Sequence, residues 1–214
     1  MEVKEILSHV DHTQLKAFAA WEDIRKLCDE AIRFGTASVC VPPCYIRRIH
    51  ENYPELNICT VVGFPLGYSV TAAKVVETEQ AIADGANEVD MVVNISDVKN
   101  GDYDAVASEI RALRAAVGPD HILKVIIETC YLTDEEKTEL CHIVTKEKAD
   151  YIKTSTGFGT AGAVLSDIEL FKKEIGPEVK MKAAGGIRKK EDMEAFLAAG
   201  CERIGCSSAA AIAE

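Results

Sequence analysis

The chain has 214 residues, of which 48% are apolar and 28% are charged, a composition typical of a globular protein rather than a disordered one. Its formal net charge of −11 argues against a nucleic-acid partner, although a local pocket on an acidic protein can still attract an anionic small molecule. No apolar run approaches the roughly 20 residues of a membrane helix, and the mixed-charge N-terminus has no apolar signal core. These features predict a cytoplasmic protein with no membrane partner.

Apolar, β-branched runs alternate with helix-like stretches along the whole chain, which predicts parallel strands joined by crossover helices. Eight β/α units without a linker would close, so we expect one TIM (β/α)8-barrel domain over residues 1–214. The alternative is an open doubly wound sheet, but its nucleotide-binding fingerprint G-x-G-x-x-G is absent. The predicted strands lie near 8–11, 37–41, 57–62, 88–93, 122–127, 150–153, 179–183 and 202–205, and the predicted helices near 21–34, 43–52, 70–83, 102–116, 133–147, 163–175 and 189–199.

Charged residues interrupt several of the apolar strands. Burying a single charge is costly unless it is paired, so five on separate strands indicate a shared polar site, and functional groups of β/α barrels lie at the C-terminal ends of strands. Each residue also has a structural interpretation: Asp90 as a hydrogen-bond acceptor, or Lys124 paired with Glu128, four residues later on the same strand face. The five residues are Asp11, Asp90, Lys124, Lys153 and Lys182.

Two of these lysines, Lys153 and Lys182, each follow a strand-like run and precede a glycine-containing loop. A buried ammonium beside a second cation loses its proton easily, because it is poorly solvated and repelled by its neighbour. A neutral amine can attack a carbonyl carbon and form a Schiff base. The pair therefore predicts a lysine-imine enzyme, with a solvent-exposed strand-end lysine as the alternative for Lys153.

Two glycine-containing loops indicate a phosphate site. Gly185-Gly186-Ile187 allows backbone N–H groups to approach an anion closely, and Arg188 adds a positive charge. Gly205-Cys206-Ser207-Ser208 follows the last predicted strand and is expected to open a short helix, whose N-terminus favours an anion. The loops after strands 7 and 8 of β/α barrels often bind phosphate. The alternative is that these glycines only form tight turns.

Taken together, the motifs resemble those of the deoxyribose-phosphate aldolase family in order along nearly the whole chain. The Ile-Lys-Thr-Ser-Thr-Gly stretch is the most specific of them. The segments are Val10-Asp11-His12-Thr13, Ser38-Val39-Cys40-Val41, Glu88-Val89-Asp90-Met91-Val92, Leu123-Lys124-Val125-Ile126-Ile127-Glu128-Thr129, Tyr151-Ile152-Lys153-Thr154-Ser155-Thr156-Gly157-Phe158, Lys182-Ala183-Ala184-Gly185-Gly186-Ile187-Arg188 and Arg203-Ile204-Gly205-Cys206-Ser207-Ser208.

The resemblance implies a class I aldolase of deoxyribonucleoside catabolism. It would reversibly cleave 2-deoxy-D-ribose 5-phosphate to D-glyceraldehyde 3-phosphate and acetaldehyde, without a cofactor or metal, and we expect a homo-oligomer, a dimer or tetramer. Lys153 would form the imine, Lys182 would ease its deprotonation, and Asp90 with a bound water would move protons. Asp11, Cys40, Lys124 and Thr156 would line the polar pocket, and Gly157, Gly185, Gly186, Arg188, Gly205, Ser207 and Ser208 would bind the phosphate.

Two features depart from the family pattern. Phe158 stands where some members have a lysine, which is expected to weaken one phosphate contact. The sequence ends soon after Ser208, whereas some members carry a longer tail with a terminal tyrosine that assists proton transfer. We therefore expect that role to be vacant, or filled by water or another residue.

Three alternative functions stay open at this point. One is another lysine-imine aldolase or a transaldolase on the same barrel, and another is a non-catalytic sugar-phosphate-binding protein. The third is a metal site at Cys40-Val41-Pro42-Pro43-Cys44, which has no second Cys/His pair at ligand spacing. Binding alone does not need a readily deprotonated amine, so the two lysines and Asp90 favour an enzyme.

Overall fold

Eight parallel strands close into a barrel in the computed structural model of the chain, which describes residues 1–213. Each strand pairs with the next one along the chain, and the last pairs with the first. The prediction of a TIM (β/α)8 barrel is therefore confirmed. The strands are β1 (Val10–Thr13), β2 (Ser38–Val41), β3 (Ile58–Val62), β4 (Glu88–Val92), β5 (Ile122–Ile126), β6 (Tyr151–Lys153), β7 (Lys180–Ala184) and β8 (Arg203–Cys206).

All seven predicted helical stretches are present, within a few residues of their expected ends. The short helix expected after residues 205–208 is also present, at Ala209–Ala213. Two other five-residue helices, Val3–Leu7 and Ile95–Lys99, were not predicted, because they are too short to show a helical period. None of the helices within residues 1–213 has the length and apolar character needed to cross a membrane. The helices are α1 (Val3–Leu7), α2 (Trp21–Phe34), α3 (Ile46–Asn52), α4 (Thr71–Ala83), α5 (Ile95–Lys99), α6 (Tyr103–Val117), α7 (Asp134–Lys146), α8 (Leu165–Glu174), α9 (Lys190–Ala199) and α10 (Ala209–Ala213).

A capping box in α7 and an apolar stripe in α6 show how the sequence forms and buries these two helices. At the start of α7, Thr133 Oγ1 accepts from the Glu136 N–H at 3.3 Å, and the Glu136 carboxylate accepts from the Thr133 N–H at 2.8 Å. This capping box satisfies two N–H groups that the first helical turn leaves unpaired. In α6 the apolar stripe that includes Ile110 and Leu113 is fully buried and packs in the main core.

The two-residue period of the strands separates an apolar layer from a polar one. Val89 and Met91 of β4 pack in the apolar core together with helix residues such as Ile110. Because successive side chains of a strand point to opposite faces, Glu88 and Asp90 of the same strand lie inside the barrel. Both carboxylates are buried. The same alternation in the neighbouring strands fills the barrel interior with charged side chains.

Candidate active site

Strand register brings the charged residues of the interior together. Asp90 of β4 lies directly opposite Lys124 of β5, and Lys153 of β6 lies directly opposite Lys182 of β7. Directly opposite residues of paired strands share a face of the sheet, so all four side chains point into the barrel. Residues that are distant in sequence therefore become one cluster.

Asp90 is the centre of this cluster. Its Oδ1 accepts a hydrogen bond from Lys124 Nζ at 2.8 Å, and its Oδ2 accepts from Lys153 Nζ and Lys182 Nζ, each at 2.7 Å. Because Lys153 and Lys182 share one oxygen, their amines lie within two hydrogen-bond lengths of each other. Burial favours the neutral acid, but the positive charge around it, that of Lys124 most of all, outweighs burial and holds the pKa of Asp90 well below its usual value. Asp90 therefore stays ionised.

Lys182 and Lys124 are each held by further carboxylates. Lys182 also donates to Asp11, and Lys124 Nζ lies 2.5 Å from a carboxylate oxygen of Glu88. Burial lowers the pKa of Lys182, but Asp11 and Asp90 outweigh burial and raise it overall. The pKa of Lys124 is raised well above its usual value for the same reason, with Asp90 as the strongest charged partner. Both lysines therefore stay protonated.

Arg203 closes the network beneath these lysines. Its Nη1 donates to Asp11 Oδ1 at 2.5 Å and to Glu88 Oε2 at 2.9 Å. Burial lowers the pKa of Arg203, but Asp11 and Glu88 more than compensate and raise it. The network thus contains four basic side chains, the three lysines and Arg203, and three carboxylates, those of Asp11, Glu88 and Asp90.

A cavity of about 290 Å³ opens above the cluster, at the C-terminal ends of the strands. Lys153 lines this cavity, whereas Lys124 and Lys182 are absent from its lining and fully buried. A carbonyl compound in the cavity would therefore meet one amine of the cluster, that of Lys153. The predicted residues that also line it are Thr156, Gly157, Gly185, Gly186, Arg188, Gly205 and Ser207.

Four predicted substrate-binding residues do not line this cavity. Asp11, Cys40 and Lys124 have no exposed surface, because their side chains are enclosed in the barrel interior. Ser208 lines a neighbouring recess of about 400 Å³ instead. The loop predicted at 205–208 also begins later than expected, since Gly205 and Cys206 are part of β8 and the helix that follows has only five residues.

The cavity rim offers groups suited to an anion. The backbone N–H groups of Gly157, Gly186 and Ser207 donate to no acceptor within residues 1–213, and Arg188 forms no ion pair with a carboxylate there. Gly186 has φ +78°, and a Cβ built on it would meet no atom within 4 Å. The backbone at Gly186 is therefore open to close approach by a ligand. Phe158 also lines the cavity and packs edge-to-face on Phe64, with ring centroids 5.3 Å apart.

Several site residues were missed by sequence reasoning. Glu88 and Arg203 complete the buried network, and the signal that identified Asp90, a charge in an apolar strand, applied to both. Lys16, on the loop after β1, lines the cavity, and no local pattern in the sequence indicates this. Glu128 does not share a strand face with Lys124, because β5 ends at Ile126 and Glu128 has a left-handed backbone with φ 52°. Lys124 pairs instead with Asp90 and Glu88.

The interior also contains two sets of atoms that could ligate a metal. Cys40, Cys59 and Asp90 form one, and Asp11, Cys59 and Glu88 form the other. Every carboxylate in these sets already binds a lysine or arginine, whose charge would repel a cation. Burial also raises the pKa of the Cys59 thiol well above its usual value, which disfavours the thiolate that metals bind. The donor set does not fit a metal ion.

Comparison with known proteins defines the class of this barrel. The model of the DeoC/LacD family of aldolases matches residues 6–207. The chain therefore belongs to the DeoC/LacD aldolase family, and it is an enzyme, a carbon–carbon lyase. The resemblance noted in the sequence motifs is confirmed.

Its relatives narrow the class further. The chain is 65% identical over 210 residues to a deoxyribose-phosphate aldolase of Clostridium botulinum (strain Alaska E43), a match that covers 98% of this chain and 95% of that protein. It is 56% identical over 207 residues to the deoxyribose-phosphate aldolase of Clostridioides difficile (strain 630), covering 96% of this chain and 94% of that protein.

Solved structures agree with the sequence relatives. A tetrameric deoxyribose-phosphate aldolase from Aeropyrum pernix superposes with a TM-score of 0.89 at 30% identity, covering 98% of this chain and 89% of that one. The aldolase QR15 superposes with a TM-score of 0.94 at 36% identity, covering 98% of this chain and 94% of that one. The sequence and structure comparisons therefore place the chain in the same family and the same barrel fold.

Proposed function

We propose that this protein reversibly cleaves 2-deoxy-D-ribose 5-phosphate to D-glyceraldehyde 3-phosphate and acetaldehyde through a Schiff base on Lys153. The observation that carries the proposal is that Lys153 alone of the three clustered lysines lines the cavity, while Asp90 binds both it and Lys182. The activity of the relatives, which are named deoxyribose-phosphate aldolases at up to 65% identity, supports the substrate.

Charge balance supports Lys153 as the nucleophile. Within residues 1–213, Lys153 contacts one carboxylate, that of Asp90, whereas Lys182 contacts two. With Lys153 neutral, the positive charges of Lys124, Lys182 and Arg203 equal the three negative charges of the network. With Lys153 protonated, the buried network carries one excess positive charge, which a low-dielectric interior disfavours. The neutral amine that imine formation needs is therefore the electrostatically balanced state.

The reaction follows from this amine. Lys153 Nζ attacks the C1 aldehyde of the open-chain sugar, and the adduct takes up a proton and loses water to give an iminium ion. A base removes the proton of the C3 hydroxyl, the C2–C3 bond breaks, and its electrons pass to the iminium nitrogen as an enamine forms. Glyceraldehyde 3-phosphate leaves, C2 is protonated, and hydrolysis releases acetaldehyde. Asp90, 2.7 Å from Lys153 Nζ, would relay these protons with a water molecule.

The rim groups would bind the phosphate of the substrate. The N–H groups of Gly157, Gly186 and Ser207 and the guanidinium of Arg188, which have no acceptor or carboxylate partner within residues 1–213, border the same cavity as Lys153. Backbone N–H groups and a cation together suit a dianion, because hydrogen bonds to a charged acceptor are stronger than neutral ones. The phosphate would thereby fix the sugar with its aldehyde end toward Lys153.

Turnover of 2-deoxy-D-ribose 5-phosphate by the purified protein tests the function directly. Acetaldehyde release is followed by a coupled alcohol dehydrogenase, and the reverse reaction by loss of glyceraldehyde 3-phosphate. We expect turnover in both directions without added metal and in the presence of a chelator. Absence of cleavage, with turnover of a different aldol substrate, would assign the protein to another branch of the lysine-imine aldolases.

Replacing Lys182 with leucine is expected to shift the acid limb of the pH–rate profile to higher pH. Without Lys182, the positive and negative charges of the network are equal only when Lys153 keeps its proton. A higher pH is therefore needed to form the neutral nucleophile. A nearby charge of this kind is expected to move the acid limb by about one pH unit or more. Lys180→Leu on the same strand is the control, because Lys180 is exposed and pairs with Glu202. An unchanged profile with a raised KM would show that Lys182 contacts substrate instead.

Replacing Gly186 with alanine is expected to raise KM for 2-deoxy-D-ribose 5-phosphate roughly 10- to 100-fold. The added methyl group would prevent one hydrogen bond to the phosphate, and a hydrogen bond to a charged group is worth about 1.5–3 kcal/mol. Activity on free 2-deoxyribose should fall much less. Gly101→Ala is the matched control: Gly101 has φ +73° and equally open surroundings, so it carries the same backbone strain away from the cavity. Equal losses on both substrates would point to general damage.

We also propose a cytoplasmic homo-oligomer, a dimer or tetramer, in which residues 1–214 act as one aldolase domain in deoxyribonucleoside catabolism. The tetrameric assembly of the Aeropyrum pernix relative supports an oligomer. Light scattering coupled to size-exclusion chromatography would measure the mass of the assembly, and a monomer at micromolar concentration would contradict it.

A further inference from the structure

Glu128 is a buried carboxylate that neither the catalytic network nor the phosphate rim uses. Its side chain is 2% exposed, and its backbone has φ 52°. Within residues 1–213 only Lys148 shares this left-handed conformation among non-glycine residues. Such a backbone is unfavourable for a residue with a Cβ and persists only where surrounding contacts enforce it, often at functional sites.

The contacts that enforce it lie in the loop after β6. The Thr156 N–H lies 3.2 Å from Glu128 Oε1 and 3.3 Å from Oε2, and the Thr156 hydroxyl donates to Oε2. The loop also passes close by, since a Cβ built on Gly159 would lie 3.1 Å from Glu128 Cδ. Glu128 therefore holds the loop that begins directly after Lys153.

The contact with Glu128 determines the hydrogen bonds that the Thr156 side chain makes. Its hydroxyl proton goes to Glu128, and its oxygen accepts from the Phe158 N–H at 3.0 Å. The N–H of Gly157, between these two residues, donates to no acceptor within residues 1–213, and Gly157 lines the cavity. The carboxylate thus fixes the donors on either side of Gly157 and leaves its N–H free for a ligand.

We propose that Glu128 is a positioning residue that holds the β6 loop, through Thr156, in the conformation that binds the phosphate group of the substrate. This inference rests on the proposed function for the identity of that phosphate ester. Glu128 itself touches neither the phosphate nor the reacting carbons. It acts by occupying the N–H and hydroxyl of Thr156, so that the Gly157 N–H is presented to the cavity.

Glu128→Gln tests the proposal with little change in shape. Glutamine has one acceptor oxygen, so its amide N–H₂ must face a donor of Thr156, and the loop can no longer be held as before. We expect the dissociation constant of inorganic phosphate, measured by calorimetry on the resting protein, to rise about tenfold or more. KM for 2-deoxy-D-ribose 5-phosphate should rise by a similar factor, with a much smaller change in kcat.

A double-mutant cycle tests whether Glu128 acts through Thr156. Thr156→Val removes the hydroxyl at constant shape and should weaken phosphate binding, whereas Thr156→Ser, which keeps the hydroxyl, should restore most of it. Glu128→Gln combined with Thr156→Val should be no worse than the more damaging single variant, because both remove one interaction. Additive losses would show that Glu128 acts by another route and would overturn the proposal.

Asp150→Asn is the matched structural control. Glu128 and Thr156 follow the C-terminal ends of β5 and β6. Asp150 joins these two strands at their N-terminal ends, where its Oδ2 accepts from the Leu123 N–H at 2.7 Å. It should lower the melting temperature without changing phosphate affinity. Equal weakening of phosphate binding in Asp150→Asn, or wild-type phosphate affinity in Glu128→Gln, would overturn the proposal. If Glu128→Gln loses phosphate affinity while the wild-type protein cleaves no deoxyribose phosphate, the positioning role holds and the aldolase proposal fails.

Discussion

Replacing Lys153 with arginine should reduce turnover of 2-deoxy-D-ribose 5-phosphate to the limit of detection, a loss on the order of 10⁶-fold as for other removed nucleophiles. Arginine places a permanent positive charge beside Asp90, since it stays protonated at any working pH, so it cannot form an imine. Steady-state kinetics and borohydride trapping should both be negative, while the circular dichroism spectrum stays that of the wild type.

Lys180→Arg is the control for this substitution. Lys180 begins the neighbouring strand β7, is exposed, and pairs with Glu202 at 3.1 Å, so the same chemical change occurs there outside the cavity. Its activity should remain close to that of the wild type. Appreciable turnover by Lys153→Arg, with an adduct on another lysine, would show that the nucleophile was assigned to the wrong residue.

Replacing Asp90 with asparagine should lower kcat by about 10²–10⁴-fold, the range expected for loss of an acid–base group. An amide oxygen can still accept one hydrogen bond, but it cannot relay protons to and from Lys153. It also leaves Lys124 and Lys182 in the barrel interior with one carboxylate fewer. Removing one partner of a buried ion pair costs about 3–5 kcal/mol, so the urea midpoint should fall as well.

Glu88→Gln separates these two effects. Glu88 binds Lys124 and Arg203 in the same network and has no contact with Lys153. The variant should therefore lose stability as Asp90→Asn does, but with a smaller loss of kcat once the folded fraction is taken into account. Equal losses of kcat in the two variants would show that Asp90 supports the charge network only and moves no proton.

The barrel was predictable because its signals are local. Apolar runs of strand length, a capping box at Thr133 and an apolar stripe in α6 each depend on residues within one or two turns. The five-residue helices α1 and α5 escaped prediction, since one helical turn has no period to detect, whereas α10 follows the glycine-containing loop that predicted it. Strand ends shifted by a residue or two, which placed Cys206, expected in the loop, in β8.

The cluster was predictable in membership but less so in its connections. A charge in an apolar strand is rare enough to single out Asp90, Lys153 and Lys182. Which charge meets which depends on register between strands: Lys124 lies opposite Asp90, so it pairs with Asp90 and Glu88 rather than with Glu128. The height of a residue along the barrel axis is equally invisible in sequence, and it decides that Asp11 lies below the cavity while Thr156 borders it.

The central claim is that Lys153 forms the imine, and one measurement tests it most directly. The wild-type protein is incubated with acetaldehyde, reduced with sodium borohydride, digested, and mapped by mass spectrometry. Reduction would convert the imine into a secondary amine that carries an ethyl group. We expect this ethyl group on Lys153, and its yield should change when 2-deoxy-D-ribose 5-phosphate competes for the site. An ethyl group found mainly on Lys182 or on a surface lysine, or no adduct at all, would contradict the account.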